Sequence, residues 1–229
     1  MNNIPKGYKQ TEVGVIPEEW EVCQVGSLLN YINGKAHEQS IKDYGRYVVV
    51  NSKFISSEGE VRKYSDECYC PTRVGDVLMV MSDVPNGRAI AKCFYVEEAD
   101  TYTVNQRICV LTPIKIEGKL LFYKLDRNKF YLAFDDGVKQ TNLRKDEVLS
   151  CPIGIPISHN EQRAIAATLS DVDALLAKLG QLIAKKRNLK QAVMQQLLTG
   201  QTRLPGFSGE WEVKRLGDVA RLLNLIVFS

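Results

Sequence analysis

The sequence predicts an α+β protein: a domain built on a mixed or antiparallel sheet, followed by one long, coiled-coil-forming α-helix. Two observations carry this expectation. From residue 30 to 155, short β-branched and aromatic runs alternate with turn signals. From Ser158 to Gly200 the chain reads SHNEQRAIAATLSDVDALLAKLGQLIAKKRNLKQAVMQQLLTG, with no proline and with Gly180 as its one interior glycine, so nothing in it stops a helix.

Taken in order, Met1 to Val13 is polar and is expected to be irregular. The next piece, GVIPEEWEVCQVGSL from Gly14 to Leu28, has an echo in GFSGEWEVKRLGDV from Gly206 to Val219. Superposing Trp20 on Trp211 aligns Glu19 with Glu210, Glu21 with Glu212, Val22 with Val213, Val25 with Leu216 and Gly26 with Gly217. This is an internal repeat whose members flank one unit of domain plus helix. After Val219 the likeness stops, at LLNLIVFS, which reads as a truncated or frame-shifted second unit. The expected organisation is thus a domain over residues 1–157, a spacer helix over 158–200 and the start of a second unit over 201–229.

Strands are expected at Arg46–Val50 (RYVVV), Gly75–Met81 (GDVLMVM), Ala89–Val96 (AIAKCFYV) and Arg107–Leu111 (RICVL). Turns fall at Ser57-Glu58-Gly59, Pro85-Asn86-Gly87 and Glu117-Gly118. The apolar positions Leu120, Leu121, Tyr123, Leu125, Phe130, Tyr131 and Phe134 suit one helix or two short ones. Ile153 to Ile157, bounded by Pro152 and Pro156, reads as an extended connector into the long helix.

That helix has recognisable ends. Ser158 followed by Glu161 is a capping box, and Gly200 with Pro205 behind it is a C-terminal stop. Between them lie about 40 residues, or roughly 60 Å at 1.5 Å per residue. Ile165, Leu169, Val172, Leu176, Leu179 and Ile183 recur at alternating intervals of four and three, the seam of a helix that packs lengthwise on another. Leu175, Leu182 and Leu189 widen the stripe. The seam breaks at Lys186 and Lys190, then resumes at Val193 and Leu197. No second stretch of this kind exists in the chain, so the expected partner is a second copy, in a two-fold homodimer.

Composition bounds the function. Hydrophobic residues at 45% and charged residues at 25% of 229 belong to a folded, soluble chain with room for one ordinary domain plus the helix. No apolar run approaches a membrane span and no leader precedes the domain, so a cytoplasmic location is expected. The six cysteines are scattered and the two histidines, His37 and His159, lie far apart, which argues against disulfides and a metal site. The net charge of +3 is too small to announce a nucleic-acid binder, so any DNA contact must rest on local basic patches.

At this point a resemblance enters. The run NEQRAIAATLSDVDALLAKLGQLIAKKRNLKQAVMQQLLTGQTRLPGF resembles the helical region of the DNA-specificity (S) subunit of type I restriction-modification systems. So do the repeated WEV…LG opening, VGDVLM, Val104-Asn105-Gln106-Arg107 and Gln140-Thr141-Asn142-Leu143. The resemblance implies a non-catalytic subunit in which target-recognition domains read a split double-stranded DNA site. Long helices there form the antiparallel spacer and dock methyltransferase (M) subunits, which hold S-adenosylmethionine. Restriction (R) subunits use ATP. The present chain departs from that pattern: it has one domain and one helix, and looks like a half-length form. As a homodimer it would read an interrupted palindrome. The alternative expectation is a coiled-coil adaptor, or a remnant that no longer binds DNA.

Base reading needs forked donors and acceptors on exposed loops. Candidates on turn-rich segments are Lys35, Lys53, Arg62, Lys63, Asn86, Arg88, Lys139, Gln140, Thr141, Asn142 and Arg144, with Arg88 and Lys139 to Asn142 foremost. Asn105-Gln106-Arg107 is equally readable as structural, because it enters a strand. For catalysis the chain offers neither a Pro-Pro pair nor G-x-G-x-x-G, and no serine or cysteine with an evident histidine partner. The expectation is a protein that reads sequence, needs no cofactor itself and leaves chemistry to others.

Overall fold

The structure, a computed structural model, describes residues 4–84 and 87–221. The chain forms two compact units that divide inside the long helix, between Asp171 and Val172.

The first unit is organised by a four-stranded antiparallel sheet, in the order Leu29–Asn33, Ile108–Pro113, Val77–Val80, Cys93–Tyr95. Its two inner strands read as unbroken apolar runs because both faces are covered. Successive side chains on a strand point to opposite faces. Val77, Met79, Cys109 and Leu111 therefore enter one core, with Leu120, Leu121, Leu125 and Tyr131. Leu78, Val80, Ile108 and Val110 enter the other, with Val48, Val50, Phe54 and Ile55. The Phe54, Phe94 and Tyr102 rings meet edge to face in the second core, at centroid distances of 5.1, 5.3 and 6.0 Å. In the first, the Tyr131 hydroxyl donates to Val148 O at 3.0 Å, which satisfies its buried polar end.

Beside the central sheet, Tyr47–Val50 pairs parallel with Tyr102–Val104 and antiparallel with Tyr64–Ser65, so the domain is mixed as well as antiparallel. Two short helices, Gly118–Leu125 and Lys129–Leu132, occupy the segment expected to be helical. Three local readings need correction. The N-terminal segment is not irregular: Tyr8–Thr11 and Gly14–Pro17 form an antiparallel hairpin. Glu117-Gly118 is not a turn but a helix start, where the Glu117 carboxylate accepts the Leu120 amide at 2.7 Å. The Ala89–Val96 strand is confined to Cys93–Tyr95, because Ala91 has φ +54 and the amides of Ala89 and Ile90 are held by Asp83.

The proline-bounded connector is itself a strand. Pro152–Pro156 pairs antiparallel with Trp20–Gln24, which explains why the WEV motif and the connector belong together. Just beyond it, the Trp20 indole donates to Glu161 Oε1 at 3.0 Å, and the Lys124 ammonium stands 4.9 Å over the Trp20 ring. Gln162, 2% exposed, donates to Pro156 O and accepts the Glu117 amide. These bonds pin the first turn of the helix.

The helix runs from His159 to Leu198, 40 residues, and Gly200 closes it with φ +70 as its position demands. Only Gln162 and Ala166 along its length are buried. In the second unit the Trp211 ring lies against Gly200, and Arg203 stands 5.8 Å over that ring while donating to Gly209 O. Unlike Trp20, Trp211 is in no strand and is 55% exposed.

Candidate nucleic-acid interface

The two segments marked most strongly by sequence, around Arg88 and around Lys139 to Asn142, converge on one small element. Ser82–Asp83 and Thr141–Asn142 pair antiparallel, Thr141 opposite Asp83 and Asn142 opposite Ser82. The chain leaves this pair at Val84, and Ala89 and Ile90 fold back on Asp83. The Asp83 carboxylate holds the loop by accepting the amides of Val84, Ala89 and Ile90 at 2.9, 2.6 and 3.0 Å. Gly87 crosses so close that a Cβ there would stand 2.1 Å from Asp83 Oδ2, so a larger residue would push the carboxylate off the amides it holds. Arg127 donates to Arg88 O and Ile90 O. With its backbone so fixed, the loop leaves the Arg88 side chain exposed.

On the neighbouring strand, Gln140 donates to Ser82 Oγ at 2.9 Å and Asn142 Oδ1 at 3.1 Å. Thr141 is buried and donates to Asp135 Oδ1, so it supports this strand from beneath rather than facing outward. Arg144 caps the helix Lys145–Leu149, and its exposed guanidinium pairs with Glu147 at 3.3 Å.

Two further segments close on the same place. The end of the Leu29–Asn33 strand brings Tyr31 and Asn33, whose side chains share a 2.6 Å hydrogen bond. The turn at Asn105 to Arg107 brings the rest: buried Asn105 accepts the Arg107 amide with its side chain, while Gln106 and Arg107 are exposed. Gly34 permits this approach, since a Cβ would stand 2.1 Å from Asn105 O. Tyr31, Asn33, Met81, Ser82, Gln106, Arg107, Gln140, Asn142, Leu143, Arg144 and Lys145 together line an open concavity of about 460 Å³. Lys145 stands 5.4 Å over the Tyr31 ring, and burial pushes the Tyr31 hydroxyl well above its usual range, so it stays protonated.

The lining holds four side-chain amides and three cations and no carboxylate. Forked amides and guanidiniums are the groups that read base edges and grip phosphates, though here Gln106 donates to Glu38 Oε1 at 2.7 Å and Arg144 pairs with Glu147. Asn33 and Lys145 escaped the sequence reading, and Gln106 and Arg107 were readable either way. They sit at a strand end, at a helix start and in a turn, and only the fold assembles them.

The other candidates divide. Lys35 follows Gly34 and lies beside Asn105, and Lys53 sits on the helix Ser52–Ser56, whose Ser52 Oγ is 3.5 Å from Ser82 O. Lys139 is exposed next to the concavity. Arg62 donates to Gly59 O and Lys63 pairs with Asp43, on a separate part of the domain. Asn86 lies outside the described residues. Along the helix, Leu169, Val172, Leu176, Leu179, Ile183 and Val193 are 38–59% exposed. Ile165 packs against the first core, and Leu197 lines a hollow with Leu204, Phe207 and Trp211.

Chemistry centres are sparse. All six cysteines are free, and burial pushes the Cys109 thiol up to about 12 and that of Cys151 to about 11, which disfavours thiolates. Among the described residues no group of three or more His, Cys, Asp or Glu could hold a metal, and no helix is long and apolar enough to cross a membrane.

The fold is an α+β domain followed by a long helix. Residues 17–186 match the type I restriction modification DNA specificity domain, and the chain belongs to that family. It is 25% identical over 218 residues to the type I restriction enzyme MjaVIII specificity subunit of Methanocaldococcus jannaschii, a match covering 87% of this chain and 50% of the relative. A second protein of that organism, provisionally named the MjaX specificity subunit, is 26% identical over 93% of this chain and 55% of its own. The chain thus spans about half the length of these relatives. Its fold is that of the type I restriction-modification S subunit from M. genitalium, with TM-score 0.57 and 21% identity over 77% of this chain and 45% of that one. It is also that of the HsdS subunit from Thermoanaerobacter tengcongensis, with TM-score 0.57 and 18% identity over 83% and 47%.

Proposed function

We propose that this chain reads double-stranded DNA sequence for a type I restriction-modification complex and directs methyltransferase and restriction subunits to a split site. In this reading residues 1–157 form the recognition domain and 158–200 the spacer and dimer helix, with 201–229 beginning a second unit. The concavity lined by Asn33, Gln106, Arg107, Gln140, Asn142, Arg144 and Lys145 is the single observation that carries it, because it gathers amides and cations suited to base edges and phosphates from three separate stretches of the chain. Family membership supports the same reading. Two copies joined through the exposed seam present two identical recognition faces, so the site is an interrupted palindrome. The chain supplies no reacting group; methyl transfer and cleavage belong to its partners.

The test is selection from random duplex DNA with the methyltransferase subunit present. Enrichment of two inverted half-sites at fixed spacing is the expected result. No enrichment even at low salt, where phosphate contacts are strongest, would overturn the reading and leave a coiled-coil adaptor.

A further inference from the structure

Resting on the proposed reading of DNA by the concavity, we infer that Glu38 is a positioning residue that sets base specificity through Gln106. It holds the Gln106 amide by its nitrogen, so Gln106 presents its oxygen to DNA and selects an amino-bearing base, cytosine or adenine, at one position of each half-site.

The contact is built from the backbone outward. Past the Leu29–Asn33 strand the chain runs beside residues 103–105: Gly34 N donates to Ile108 O and Lys35 N to Val104 O, both at 2.9 Å, and Lys35 pairs parallel with Asn105. His37, 1% exposed, locks the next step. Its Nδ1 donates to Lys35 O at 2.7 Å, because a carbonyl can only accept, and a 2.8 Å hydrogen bond joins its Nε2 to Thr103 Oγ1. Thr103 Oγ1 also accepts the Cys70 amide. On the other side Asn105 is buried, its amide donates to Val50 O, and its side chain accepts the Arg107 amide. Glu38 and Gln106 are therefore exposed side chains carried on two fixed backbones.

Between them, Gln106 Nε2 donates to Glu38 Oε1 at 2.7 Å. A carboxylate accepts and never donates, so the amide has one permitted orientation: nitrogen to Glu38, oxygen free. Such charge-assisted bonds are also the stronger kind. In the major groove the base donors are cytosine N4 and adenine N6, whereas guanine and thymine offer acceptors only. An outward oxygen thus favours the first two bases and disfavours the others. The sign of the charge argues the same way. Glu38 stands beside a hollow whose own lining holds cations and no carboxylate, and a negative charge there opposes every phosphate alike. What it adds is orientation, which acts on specificity. The other amides of the hollow are tied at one end too: Asn33 accepts the Tyr31 hydroxyl, and Gln140 donates to Asn142. At Gln106 the tie is a charged one.

Selection from random duplex DNA, repeated on variants of the full chain with the methyltransferase subunit present, tests this role. Glu38→Ala is expected to keep the circular dichroism of the fold and to lower the preference for cytosine or adenine roughly tenfold at one position of each half-site. Binding to unrelated duplex should meanwhile tighten, as a repelling charge is lost. A merely structural residue would weaken both. Gln106→Glu alone sets two carboxylates together and is expected to lose the same preference. Adding Glu38→Gln moves the donating amide to the other side and again leaves an outward oxygen, so the preference should return. A Glu38→Ala chain that keeps the wild-type consensus, or a double variant without rescue, overturns the role of Glu38. Guanine or thymine at the position that Gln106→Ala affects overturns the polarity. A wild-type chain that enriches no sequence removes the reading of DNA itself, and this inference with it.

Discussion

The sheet-built body and the long helix place the same kinds of side chain in opposite circumstances. Val77 to Val80 are wholly buried between two cores, whereas Leu175 and Leu176 are 58 and 59% exposed on the helix. In the body, apolar residues answer one another across a sheet covered on both faces. On the helix they answer nothing over the stretch from Leu169 to Val193. An apolar stripe of that extent marks an interaction surface, and a helix draws most of its stability from the packing of such a stripe. The body thus closes its apolar residues into two cores, while the helix leaves its stripe exposed.

That contrast can be broken by substitution. The largest effect is expected at Leu111→Ala, which removes a fully buried side chain from the first core: a loss of about 2 to 5 kcal/mol, read as a lowered midpoint in denaturant at unchanged slope. Leu176→Ala on the helix should barely move the unfolding of the body; an equal loss at both sites would erase the distinction. Next comes Leu176→Asp, which should convert dimer to monomer in light scattering with the circular dichroism of the body retained. An unchanged mass would remove the seam from the interface.

Smaller effects sharpen the comparison within the body, where the concavity is polar and the cores are not. Gln140→Ala or Asn142→Ala should leave folding and dimer intact. Each should relax base preference by about 1 to 3 kcal/mol at one position of each half-site, read by repeating the selection; an unaltered consensus takes that residue off the reading face. Arg88→Ala should act more evenly, weakening every sequence alike and lowering the salt slope by about one. Binding that keeps its slope would detach Arg88 from DNA.

Some of this molecule could be read without coordinates. The helix was legible in its extent because a helix states its period and its stop in local sequence: Gly200 closes it as expected, and the 4-3 spacing marks the exposed stripe, while the Glu161 carboxylate expected in a capping box accepts the Trp20 indole. The inner strands were legible as apolar runs. The concavity was only half legible. Arg88, Gln140 and Asn142 stood out on turns and Gln106 and Arg107 were readable either way, but Asn33 and Lys145 had no local mark, and Thr141, which did, turned inward to Asp135. The Trp20 repeat was visible, yet its use as the partner strand of Pro152–Pro156 was not.

By itself, then, the sequence determined the α+β class, the long helix, its seam and the repeat, because each depends on residues within a few positions of one another. The tertiary structure decided which face carries the polar hollow, since strand pairing brings residues 31–33, 82–83, 106–107 and 140–145 together across long stretches of chain. It also decided that Ile165 belongs to the body and Leu169 to the outer seam, because burial is settled by what packs against a side chain, and periodicity alone does not say what that is.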